Sequence, residues 1–84
     1  MENVEEKIKD YIVKEFKPEI PLDNHSRLIQ EGIIDSLAIF MLIGFIEEQF
    51  GIKVDSEDVE VSNFETINAI RDLIIAKQSL KPPP

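Results

Sequence analysis

Few residues in this chain carry groups that could do chemistry, and their spacing narrows the choice further. His25, Asp35 and Ser36 supply the letters of a hydrolytic triad. Asp35 and Ser36 are chain neighbours, however, and neither an elbow of glycines nor an oxyanion loop accompanies them, so no hydrolase is expected. Asp55, Glu57, Asp58 and Glu60 could invite a cation, yet the stretch lacks the alternating Asp/Asn positions and central glycine of a calcium loop. It reads as a solvated acidic face, and no metal site is predicted. The chain has no cysteine, which excludes disulfides, thiolate zinc sites and a cysteine nucleophile and suits a reducing compartment. What remains is Ser36. Behind an acid able to cap a helix, its hydroxyl falls in a first helical turn and projects into solvent, where an enzyme can reach it. Ser26, Ser56, Ser62 and Ser79 read as loop, cap, turn and tail residues instead.

The elements that position Ser36 follow from periodicity and breakers. Val4, Ile8, Tyr11, Ile12 and Phe16 share one helical face, and Pro18 ends that helix near Lys17. Residues 18–34 form a long connection whose Ile20, Leu22, Leu28 and Ile29 are expected to tack it down over the helices. Asp35 caps a second helix from Ser36 to Phe50, with Gly51 as its stop. Ser56-Glu57-Asp58, ahead of Val59-Glu60-Val61, predicts one short capped turn. Thr66 caps a last helix in which Ile67, Ile70, Leu73, Ile74 and Lys77 share a face, while Lys77 and Lys81 suit its negative end. The prediction is an all-α fold, a small four-helix bundle of three main helices plus one short helix, in a single domain over 1–78 with a disordered Pro-rich tail over 79–84.

The second helix carries a conflict. Projected at about 100° per residue, Leu42, Ile39, Ile46, Ile43 and Phe50 lie opposite the arc that holds Glu47 and Glu48. Leu37, Phe40, Met41 and Gly44 fall on that outward arc, so the N-terminal half of the helix is apolar toward solvent. Either the 18–34 loop folds over Phe40 and Leu37, or Leu37 and Met41 form an exposed contact patch for a partner.

Composition sets the outer bounds. With 84 residues the core is thin and a large catalytic cavity is not expected. The net charge of -8 argues against nucleic acid and anionic membrane surfaces, whose phosphates need Lys and Arg. The apolar run Leu37 to Ile46 is about half of what a membrane span requires, and Met1 to Glu6 lacks the basic start of a signal segment, so a cytoplasmic monomer without membrane insertion is predicted. Residues 31–65 contain nine carboxylates and one base, Lys53, which places the charge around the Ser36 end and steers basic partners toward it.

The stretch Gly32-Ile33-Ile34-Asp35-Ser36-Leu37 resembles the phosphopantetheine attachment motif of acyl and peptidyl carrier proteins. The likeness extends through Leu28 to Gly32, Glu47-Glu48-Gln49-Phe50-Gly51 and Asn63-Phe64-x-Thr66-Ile67, in order over nearly the whole chain. It implies a non-catalytic carrier whose Ser36, beside the motif residue Asp35, bears a covalent 4'-phosphopantetheine arm delivered from coenzyme A by a phosphopantetheinyl transferase. The contact surface for partners is assigned to Leu37, Met41, Glu47, Glu48 and Val61. Carriers of primary fatty acid synthesis usually keep acids where this chain has Ala38 and Met41. The resemblance therefore points to a free-standing carrier of a specialised aminoacyl, polyketide or modified fatty acyl pathway, served by an acyl- or aminoacyl-adenylate-forming ligase and by downstream acyl-processing enzymes. The competing class is an unmodified helical interaction module with a carrier-like fold.

Overall fold

A computed structural model describes residues 3–79. Its helices are α1 (Val4–Phe16), α2 (Ser36–Phe50), α3 (Val61–Phe64) and α4 (Ile67–Ser79). The described residues contain no strand, and α4 packs against each of the other three helices. Ile8 and Ile12 of α1, Leu42 and Ile46 of α2, Phe64 of α3 and Ile67, Ile70 and Ile74 of α4 are fully buried in one core.

The helix ends form as their residues dictate. Asn3 caps α1 by accepting the Glu6 N–H at 2.7 Å, and Lys17 closes the helix in the left-handed region, donating its N–H to the Val13 carbonyl. Gly51 closes α2 in the same conformation, where lack of a Cβ removes the strain. Thr66 Oγ1 accepts the Ala69 N–H at 3.0 Å and caps α4.

The 18–34 connection is held down by Leu22 and Leu28, both buried, and by Ile29 against the core. The Leu28 N–H donates to the Glu65 carbonyl at 2.8 Å, and the Leu28 carbonyl accepts from Ile33 and Ile34. Ile20 departs from expectation: it is 44% exposed, in the stretch between Pro18 and Pro21.

Two boundaries also differ. The predicted capped turn is a 3-10 turn, Ser56–Asp58, closed by the Asp55 N–H donating to Asp58 Oδ2 at 2.9 Å. The short helix begins only at Val61, where Asn63 Nδ2 reaches back to the Asp58 carbonyl and Phe64 plugs the core. Ser79 is the last residue of α4, its hydroxyl donating to the Ile75 carbonyl at 3.0 Å, rather than the first residue of a tail. The rest of the predicted tail, Lys81 included, lies outside the described residues.

Candidate functional site

Ser36 occupies the first position of α2, as its place behind a capping acid requires. Asp35 is extended (φ -120°, ψ -169°) and its Oδ1 accepts the Ala38 N–H at 2.9 Å. That bond turns the carboxylate onto the helix end and away from the serine's outer side. Ser36 is exposed, and its hydroxyl has no hydrogen-bond partner among the described residues. The N–H groups of the first turn point out of the helix without intrahelical acceptors, and the helix dipole places partial positive charge there. A phosphodiester on Ser36 Oγ fits this donor set, since its anionic oxygens would face amides and its chain would leave into solvent.

The hydrolytic triad is not assembled. His25 sits in a turn where its N–H donates to Asp23 Oδ1 at 2.7 Å, and its Nδ1 lies 3.4 Å from Asn68 Nδ2. Asp35 is committed to the Ala38 amide.

Beside Ser36 the outward face of α2 is open. Leu37 is 69% exposed, Phe40 66% and Met41 41%, so the 18–34 loop does not cover them. Phe40 joins the two residues assigned to the patch from sequence; its position on the outward arc was the available signal. Ala38 is buried beneath this surface. Val61, at the head of α3, is 60% exposed. Glu48 is exposed, whereas Glu47 is half-buried and its Oε2 accepts the Val54 N–H at 2.9 Å, tying the end of α2 to the loop beyond Gly51.

The orientation of α2 against α1 is set by Tyr11. Its ring stacks on Phe45 with centroids 4.1 Å apart, and its hydroxyl donates to the Met41 carbonyl at 3.3 Å. Partial burial, reinforced by the Glu15 carboxylate, raises the Tyr11 pKa above the usual phenol value.

The acidic stretch after α2 is organised by a cation that sequence reasoning assigned elsewhere. Lys77 Nζ, near the end of α4, pairs with Asp58 Oδ2 and lies 3.1 Å from Asp55 Oδ2. The ammonium's hydrogen bond, with the Asp55 N–H, holds the Asp58 carboxyl below the ordinary range. The two carboxylates in turn raise Lys77. Lys77 thus latches the 3-10 turn to α4 instead of merely facing the helix dipole.

Residues 6–74 match the protein family described as "Phosphopantetheine attachment site". The chain is 36% identical over 75 residues to the "Acyl carrier protein" of Buchnera aphidicola subsp. Baizongia pistaciae, covering 88% of this chain and 94% of that protein. It is 45% identical over 65 residues to the "Acyl carrier protein" of Buchnera aphidicola subsp. Schizaphis graminum, covering 75% and 81%. With the "Probable acyl carrier protein PigG" of a Serratia species it shares 28% over 53 residues, 63% of this chain and 61% of that protein. No helix among the described residues is long and apolar enough to cross a membrane.

Proposed function

The chain belongs to the acyl carrier protein family, whose members hold a phosphopantetheine attachment site, and on that premise we propose that Ser36 is the residue that receives the arm. A member of this family is a non-catalytic carrier, armed by a phosphopantetheinyl transferase, whose cofactor is covalently attached 4'-phosphopantetheine. Bound, that group supplies the thiol this cysteine-free chain lacks, on which acyl groups ride as thioesters.

The observation that carries the Ser36 assignment is an exposed, partnerless hydroxyl at the first turn of α2, inside Asp-Ser-Leu. Asp35 fixes the helix end through the Ala38 amide and leaves the serine's outer side free for the transferase. The first-turn amides offset the charge of the ester. Leu37 and Met41, with Phe40 on the other side of Leu37, form the surface on which partner enzymes seat, and the exposed Glu48 and Val61 belong to the same assignment. Glu47, also in that assignment, holds the Val54 amide. The acidic 31–65 segment steers basic partners toward this end, so association weakens as salt is added.

The pathway served is a specialised one, with an aminoacyl, polyketide or modified fatty acyl cargo loaded by an adenylate-forming ligase and passed to downstream acyl-processing enzymes in the cytoplasm. Its support lies in α2. Position 38 is an alanine folded into the core, and position 41 is an exposed thioether, so neither offers the carboxylate that carriers of primary fatty acid synthesis present there.

The test is a loading panel. The armed protein is offered to acyl- and aminoacyl-adenylate-forming ligases and to a malonyl transferase of primary fatty acid synthesis. A hydroxylamine-labile mass gain with a ligase, weakened by Met41→Glu, is expected. Efficient malonyl loading that is indifferent to Met41→Glu would contradict the specialised assignment.

A further inference from the structure

Of the three glycines in the chain, two stand where the backbone needs them: Gly32 and Gly51 have positive φ, a region that side chains resist. Gly44 does not. It lies inside α2 with a φ outside that region, is exposed, and has no atom within 4 Å of where a Cβ would stand. Neither backbone conformation nor close packing within the molecule calls for it. A glycine inside a helix is also costly, because it loses more conformational freedom on folding than alanine does. A position that weakens the fold and that the fold does not explain points to a partner. Around Gly44, Phe40 and Met41 stand one turn before and Glu47 and Glu48 one turn after. Phe40 and Met41 are exposed apolar side chains, Glu48 is an exposed carboxylate, and Glu47 is bonded to the Val54 amide. The missing side chain therefore leaves a notch in the outward face of α2, with bare helix backbone as its floor, an apolar rim on one side and an acidic rim on the other.

We propose that this notch receives an apolar side chain of the adenylate-forming ligase that loads the carrier, a leucine-sized knob beside a Lys or Arg that reaches Glu48. This inference rests on the specialised reading of the function. Charge and distance select the occupant. The nine carboxylates of residues 31–65, against one base, call for a basic surface. Gly44 lies eight residues, about 12 Å, along the helix from Ser36. An enzyme that modifies Ser36 must bring its own site to the first turn of α2, whereas one that acts at the free end of an arm can seat two turns further along. Gly44 then decides which ligase fits, since any side chain at this position fills the hole that the knob enters.

The experiment compares wild type, Gly44→Ala and Gly44→Leu, each armed with coenzyme A and a broad-specificity phosphopantetheinyl transferase and then offered to the adenylate-forming ligases of the loading panel. Gly44→Ala should melt about 4–8 °C higher, as expected for one glycine-to-alanine change inside an exposed helix. Its KM with the loading ligase should nonetheless rise about fivefold, and that of Gly44→Leu about a hundredfold, with kcat little changed, because the loss is one of docking. The arming rates of the same variants are read in parallel. A Gly44→Ala protein that melts higher and loads like wild type overturns the notch. One that melts lower also overturns it, by giving Gly44 a structural role. Arming slowed as much as loading moves the knob from the ligase to the transferase and overturns the occupant proposed here. If no ligase loads the armed wild type, the specialised reading falls and the notch's occupant with it.

Discussion

Replacing Ile46 with alanine and, separately, Met41 with glutamate tests which side of α2 faces the core. The two residues are five positions apart on one helix, yet Ile46 is fully buried among the core residues of all four helices, and Met41 is 41% exposed. Ile46→Ala removes buried carbon and leaves a cavity, at a cost of about 2–5 kcal/mol. A domain of this size loses about 4–8 °C of melting temperature per kcal/mol, so the melt should fall by at least about 8 °C. Against a total stability of about 5–15 kcal/mol, that is a large fraction. Met41→Glu changes only an outward side chain. The Tyr11 hydroxyl bonds the Met41 backbone carbonyl, which the substitution retains. Its cost should stay within about 0.5 kcal/mol, a shift of no more than about 4 °C. Thermal melts followed by circular dichroism decide the matter. An unchanged melt for Ile46→Ala, or an equal drop for both variants, would refute the orientation of α2 and with it the proposed docking surface.

Other consequences can be measured on the same protein. Asp35→Ala removes the bond to the Ala38 amide and should cost about 1 kcal/mol, while Asp35→Asn, an equally good cap, should recover most of it; urea melts of both variants would show whether the carboxylate acts as a cap or only as a charge. Asp58, held below its ordinary value of 3.8, binds its proton more weakly folded than unfolded. Its contribution is therefore fully present above that value and is lost as pH falls through the folded pKa. The stability gap between wild type and Asp58→Asn should be constant near neutrality and close in acid below 3.8, and a gap that persists there would remove Lys77 and Asp58 from the account.

Much of the frame was legible because its signals are local. Pro18 ended α1, Asp35 and Gly51 bounded α2, and Thr66 started α4, each through a bond or a backbone constraint within four residues. The place of Ser36 at the head of α2 was legible for the same reason. What escaped were partnerships across the chain. Lys77 meets Asp55 from 22 residues away, so periodicity placed it on a face and at the end of α4 but gave no partner. Glu47 looked like a free carboxylate because the amide it holds belongs to the next loop. The short helix began at Val61 rather than before it, since the Asp55–Asp58 bond closes a separate turn first. Phe40 stays exposed because the loop is bonded to the base of α4, through the Leu28 N–H to the Glu65 carbonyl and the Asn68 N–H to the Asn24 carbonyl, and does not fold over it.

The most direct test of Ser36 as the point of attachment is the intact mass of wild type and Ser36→Ala after incubation with coenzyme A and a broad-specificity phosphopantetheinyl transferase. Wild type should gain one phosphopantetheine and Ser36→Ala none, with peptide mapping placing the group on Ser36. A wild-type protein that stays unmodified, although folded, would mark the chain as an interaction module that keeps only the carrier shape. A Ser36→Ala protein that still gains the arm would move the site elsewhere.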